Sequence, residues 1–354
     1  MIAEKMKPFV QNNSAIRMMF EEGNRLRAKY GADKVYDFSL GNPSVPAPDC
    51  VREAIIDLVN NEEPTVLHGY MNNAGFEDVR ETIAQSLNRR FGTAFSAHNL
   101  IMTVGAASGL NVILKTTLNP GEEVIVFAPY FLEYGAYVRN YDGKLVEISP
   151  NTETFQPNLE EFARKITAKT KAVIVNNPNN PTGVVYSAQT LTRMADILTE
   201  KSKAFGHNIF LVSDEPYRDI AFDGKKVPYP AAFYPHTLTC FSYSKSLSLP
   251  GERLGYVAVR PGCEGEEVLV DMRAQISRFT GHNCPPSIIQ RAVGRCQEVT
   301  SDLSVYETNM NLLYDKLTAL GFEVERPGGT FYIFPKALEE DANAFCLKAR
   351  EFDL

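Results

Sequence analysis

The chain has 354 residues, 44% hydrophobic and 22% charged, with 36 Lys and Arg against 43 Asp and Glu and a formal net charge of −7. That composition suits a water-soluble globular chain of one large or two moderate domains, and an acid excess without any Lys/Arg-rich run argues against a nucleic-acid partner. The longest apolar stretches, such as VIVFAPYF, are too short to span a bilayer, and the start MIAEKMKPFV lacks an apolar signal region. Six cysteines at 50, 240, 263, 284, 296 and 346 form no CxxC pair. A cytoplasmic protein with reduced thiols and no membrane partner is therefore expected.

In chain order, SAIRMMFEEGNRLRAKYG (14–31) reads as a helix and is followed by the Gly/Pro-rich LGNPSVPAP. The small-residue turn TVGAASG (103–109) leads into SGLNVILKTTL, which sets Leu110, Ile113 and Leu114 on one helical face. Strands are predicted at EVIVFAP (123–129), KLVEIS (144–149), KAVIVNNP (171–178), NIFLVSDE (208–215), TLTCFSYS (237–244) and GYVAV (255–259). Most are near-continuous in Val, Ile, Leu and Phe, as strands buried on both faces are. The stretch AQTLTRMADILTEKSKAFG between two of them carries Leu191, Met194, Ile197 and Leu198 at helical spacing. After about residue 285 comes a long helical region, and then GFEVERPGGTFYIFP reads as a hairpin-like strand pair. Strands alternating with helices give an α/β fold: a large domain with a mostly parallel sheet flanked by helices at 46–285. The two chain ends, 1–45 and 286–354, are expected to combine into a smaller α+β domain.

Ligands of parallel α/β sheets bind at the carboxyl ends of the strands. Those ends read NNPNNPTG (176–183), SDEPY (213–217) and SYSK (242–245), and TVGAASG opens a helix beside them. Singly, each is unremarkable. Lys245 alone is a solvated lysine, Asp214 an N-cap or turn residue, NPNNPTG a β-turn. The histidines at 68, 98, 207, 236 and 282 show no metal spacing, so no metal is expected. Together, the residues match what pyridoxal phosphate requires. Its aldehyde needs a lysine amine and its pyridine nitrogen an acidic partner. Its phosphate needs a helix N-terminus, hydroxyls and an arginine, and its ring an aromatic face.

The series NNPNNPTG, SDEPY, SYSKSLSLPGERLGY, in that order, closely resembles the fold-type I, class I/II aminotransferases, of the aspartate aminotransferase type. The resemblance covers nearly the whole chain. It implies that Lys245 is the Schiff-base lysine, that Asp214 pairs with the pyridine nitrogen, and that Asn180 and Tyr217 share the cofactor's phenolic oxygen. It places Phe131 against the ring. Around the phosphate it places Gly105, Ala106 and Ala107 at the helix start, Ser242, Ser244 and Arg253, and Tyr70 from a neighbouring subunit. That last match implies a homodimer with shared sites. Gly41 and Asn180 are implied as substrate contacts. Arg278 lies roughly where some aspartate-preferring relatives place an arginine from the partner subunit, against the plainer reading of a surface arginine. The bond before Pro181 is implied to be cis.

The implied reaction moves an amino group between an L-amino acid, with aspartate a candidate, and a 2-oxo acid in ping-pong fashion. Lys245 would act as the base, with a pKa depressed by burial and by Arg253. A carbon–sulfur β-eliminating lyase would use the same residues, and only products separate the two. A non-catalytic sensor fused to a DNA-binding module is the remaining reading, although no basic helix-turn-helix segment precedes SLGNP. The family's carboxylate-gripping arginine follows the PGGTFYIFP region by several tens of residues. The sequence reads CLKAREFDL before that strand would begin, so a longer native chain is expected.

Overall fold

The computed structural model describes residues 6–7, 15–36, 38 and 41–352. Seven strands form one sheet: β1 (Leu100–Thr103), β2 (Glu123–Phe127), β3 (Lys144–Ile148), β4 (Thr170–Asn176), β5 (Phe210–Asp214), β6 (Thr237–Ser242) and β7 (Gly255–Val259). Their spatial order is β1-β7-β6-β5-β4-β2-β3. Every pairing is parallel except the two made by β7, which runs against β1 and β6. The six strands expected from sequence are all present. The seventh, β1, is four residues long and buried throughout, too short a run of LIMT to show a period.

Alternation along each strand sends successive side chains to opposite faces of the sheet. In β2, Val124 and Val126 join the core holding Leu110, Ile113 and Leu114 of the helix Gly105–Thr117. Ile125 and Phe127 join a separate core with Leu191, Met194 and Leu198 of the helix Ala188–Phe205. Each such buried side chain contributes about 2 kcal/mol of transfer free energy. The second helix starts where Ser187 Oγ accepts from Thr190 N at 3.0 Å and stops at Gly206, which takes the left-handed conformation with φ 74°.

The helix Ser287–Gly294 falls in the segment expected, on sequence, to join the smaller domain. Its Ile289 and Val293 share one buried cluster with Val79, Ile83 and Leu87 of the helix Glu77–Phe91. We therefore propose that the larger unit extends past Cys296. The chain ends meet in a smaller cluster, where Val45 packs with Tyr217, Ile220, Tyr306 and Met310, and with Phe331, Tyr332 and Ile333. In the segment 1–45, residues 1–5, 8–14, 37, 39 and 40 lie outside the described residues.

The hairpin expected at 321–335 reduces to a single bridge between Val324 and Pro335. Its central residues pair with Gly183 and Ala221 instead. Gly328 N and Gly329 N both donate to Gly183 O, at 2.9 and 3.1 Å, and Gly329 bridges Ala221. Backbone donors committed to the NNPNNPTG turn cannot also close a two-stranded ladder.

Candidate active site

Adjacent parallel strands bring β4, β5 and β6 to a common carboxyl edge, with Asn176 opposite Asp214 and Asp214 opposite Cys240. Asn176 ties this edge together. Its Nδ2 donates to Asp214 O at 2.9 Å, and its Oδ1 accepts from Asn180 N at 2.6 Å. The bonds Asn177–Pro178 and Asn180–Pro181 are both cis, the second as the family resemblance implies.

Asp214 is buried, and its two carboxylate oxygens differ. Oδ2 accepts from the Tyr134 hydroxyl at 2.5 Å, while Oδ1 is buried with no hydrogen-bond partner among the described residues. Burial pushes the carboxyl up to about 7; the Tyr134 hydrogen bond works the other way, and Glu215 adds to the rise. Glu215 itself is held in a buried ion pair with Arg218 at 2.9 Å, and Arg218 also donates to the Tyr256 hydroxyl at 2.8 Å.

Lys245 lies in the short turn Tyr243–Ser246 that follows β6. Its Nζ donates to Gly41 O at 2.5 Å and stands 5.5 Å from the Phe331 ring centroid and 6.0 Å from that of Tyr217. Burial, and then the Arg253 charge, bring its pKa down to about 8. The Tyr217 hydroxyl lies 2.9 Å from that of Tyr332, with the Asn180 side chain beside it. Tyr332 also packs against Gly41 so closely that a Cβ there would fall 1.8 Å from its hydroxyl. A side chain at residue 41 would thus displace the backbone that meets Lys245.

Next to this group is a cradle for an anion. The helix Gly105–Thr117 begins at Val104 with no side-chain cap, so its first N–H groups point outward with the positive end of the helix dipole. Ser242 Oγ accepts from Ser244 N at 3.2 Å and lies 2.8 Å from Ser244 Oγ. The Arg253 guanidinium folds over Gly105, where a Cβ would come within 2.7 Å of Nη2 and where φ is +78°. Only glycine suits both demands. Phe131 stands one helical turn before Tyr134; the rings meet edge to face at 5.6 Å and 82°.

The structure thus gathers Lys245, Asp214, Tyr217, Asn180, Phe131, Ser242, Ser244, Arg253, Gly41 and the helix start at Gly105, Ala106 and Ala107 at one edge. Tyr70 and Arg278 stand apart within a single chain. Tyr70 is fully exposed, and Arg278, exposed on the helix Glu266–Phe279, lies over the Phe279 ring at 4.9 Å. Sequence reasoning missed Tyr134 and Tyr332. The first carries a faint signal, its three-residue spacing from Phe131; the second carries none, because its neighbours come from distant segments.

Pyridoxal phosphate fits these residues. Asp214 Oδ1, unpartnered among the described residues, offers a buried acceptor for a ring N–H, Lys245 offers an amine whose pKa is brought down to about 8, and the uncapped helix start with Ser242, Ser244 and Arg253 suits a phosphate. A mostly parallel sheet with that constellation at its carboxyl edge defines a pyridoxal-phosphate enzyme of fold type I. The family Aminotransferase class I and II matches residues 33–352, and the chain belongs to it. The structure is similar to an amino transferase from Eubacterium rectale, with a TM-score of 0.96, 44% identity, and 99% of this chain and 89% of that one covered. It is also similar to the aspartate aminotransferase of Thermus thermophilus with maleate, at 0.85 and 29%, with the same coverage. By sequence, the aspartate/prephenate aminotransferase of Thermus thermophilus is 32% identical over 314 residues, 86% of this chain and 77% of that protein. The chain is a pyridoxal-phosphate-dependent aminotransferase. These relatives lend no support to the lyase alternative.

The two shifted groups make the protein's stability without cofactor depend on pH. Asp214 binds its proton more tightly folded than unfolded, so its contribution is lost as pH rises from about 4 to about 7. Lys245 binds its proton less tightly folded, so its penalty is complete below about 8 and relieved as pH rises towards 10.5. The cofactor-free protein should therefore lose stability relative to a D214N/K245M variant up to about pH 7, and regain it above about pH 8. Parallel thermal melts from pH 5 to 10 check this; a difference that does not vary with pH would refute it.

Proposed function

We propose that this aminotransferase takes its amino group from L-aspartate or a related dicarboxylic amino acid, and works as a cytoplasmic homodimer. The names of the relatives support the donor: aspartate aminotransferase for one and aspartate/prephenate aminotransferase for another. The single observation that carries the catalytic assignment is the pairing of a buried, half-unpartnered Asp214 with a Lys245 whose proton is weakly held.

Bound at this edge, pyridoxal phosphate supplies an aldehyde that takes up the substrate's amino group and a protonated ring that withdraws electrons as the Cα proton leaves. Asp214 would keep the ring nitrogen protonated, Asn180 and Tyr217 would donate to the phenolic oxygen, and Phe131 would lie against the ring. The N–H groups from Gly105 to Ala107, the hydroxyls of Ser242 and Ser244, and Arg253 would bind the phosphate. Lys245 Nζ would hold the cofactor and, when free, would serve as the base for the proton on Cα. Gly41 and Asn180 contact the substrate's carboxylate end. Tyr70, exposed in one chain, reaches the phosphate of the neighbouring copy, and Arg278 meets the substrate's side-chain carboxylate there.

The test is a visible absorption spectrum of the purified enzyme before and after L-amino acids are added one at a time without any oxo acid. L-aspartate should bleach the cofactor band and release one equivalent of oxo acid per site, and the enzyme should sediment at twice the mass of one chain. Continuing release of ammonia and pyruvate would sink the transamination reading; a monomer with full activity would sink the shared site.

A further inference from the structure

The Tyr134 ring is buried against Phe131 and stacked near Tyr130, at 6.3 Å and 13°. Its hydroxyl meets Asp214 Oδ2 at 2.5 Å, the one side-chain hydrogen bond to that carboxylate among the described residues. Tyr134 N donates to Phe131 O at 3.1 Å, so one backbone turn sets both the ring platform and this hydroxyl. We infer that Tyr134 is a positioning residue for the reaction, which fixes the rotation of Asp214 so that Oδ1 faces the cofactor's ring nitrogen and holds the carboxylate ionised for it. This rests on the reading of Asp214 as the ring-nitrogen partner.

The physics supports both parts. A carboxylate turns freely about its bond unless one oxygen is anchored, and an unanchored turn would carry Oδ1 out of line. A donated hydrogen bond also favours the charged form against the cost of burial. The other groups facing Asp214 do not do this. Glu215 and Tyr217 follow it on its own strand end, Cys240 lies on β6, and Tyr137 sits one turn beyond Tyr134. Glu215 opposes ionisation of Asp214, and burial raises the pKa values of Cys240, Tyr137 and Tyr217. Tyr134 is the donor that offsets burial.

Tyr134→Phe keeps the ring and its packing and removes only the donor. Two measurements decide the matter. The first follows the carboxylic-acid stretch of Asp214 by infrared spectroscopy in the cofactor-free protein, with D214N as the subtraction. Its titration midpoint should rise by about one to two pH units in Y134F, a ten- to hundred-fold gain in proton affinity. The second compares pyridoxal phosphate affinity in Y134F, D214N and the double variant. Y134F should weaken binding about ten-fold with Asp214 present and less than about two-fold in the D214N background, as expected of residues that act through one another. An unmoved midpoint, or equal losses in both backgrounds, would overturn the assignment of Tyr134. A D214N enzyme that binds cofactor and reacts as well as wild type would instead overturn the reading of Asp214.

Discussion

Lys245→Ala should end multiple-turnover transamination, with a loss of about 10⁴-fold or more, because it removes the residue proposed as both covalent anchor for the cofactor and base. Among the described residues no other amine is placed to replace it: the cation beside it is the guanidinium of Arg253. The fold should survive, since among the described residues the lysine head contributes a single hydrogen bond, to Gly41 O, and its removal takes an amine out of a buried setting. Steady-state assay with L-aspartate and a 2-oxo acid checks the rate. Borohydride reduction should fix cofactor mass on the wild-type peptide containing Lys245 and none on the variant. Substantial turnover by K245A would refute the assignment of the site.

Asp214→Asn is expected to slow the first half-reaction by about 10²- to 10³-fold, the usual range for losing one preorganised electrostatic group. Asparagine keeps the shape and can still accept from Tyr134, so packing is retained. On the proposed role of Asp214, it could not hold a proton on the ring nitrogen, and the electron-withdrawing power of the ring would fall with it. The cofactor-free variant should melt higher than wild type at pH 7 to 8, because a carboxylate whose ionisation is resisted by burial has been replaced by a neutral group. Single-turnover kinetics and paired melts test both parts. A D214N enzyme at wild-type rate would remove Asp214 from the chemistry, and one that melts lower would show that its charge is compensated in a way the hydrogen bonds do not reveal.

Much of this protein was legible along the chain. Six of seven strands follow from continuous apolar runs, which are long enough to be told from helices. The residues at the ends of β4, β5 and β6 could be read as one site because a parallel sheet brings its carboxyl ends together. What failed was short or non-local. The four residues of β1 are held by pairing with β7, a partner more than 150 positions away, as the register Leu100–Ala258 shows. The hairpin at 321–335 has the right residue types, yet its glycine N–H groups find Gly183 O first.

By itself, then, the sequence determined the fold class, which rests on local periodicity, and the cofactor, which rests on residue types at strand ends together with the resemblance to a known family. The residues proposed to hold that cofactor come from the same resemblance. Only the tertiary structure decided which oxygen of Asp214 is taken by Tyr134, which backbone carbonyl meets Lys245, and how far burial moves their proton affinities. Those are properties of desolvation and of contacts between segments distant in the chain: Tyr134 with Asp214, Gly41 with Lys245, Tyr217 with Tyr332. No residue type carries them until the chain has closed around it.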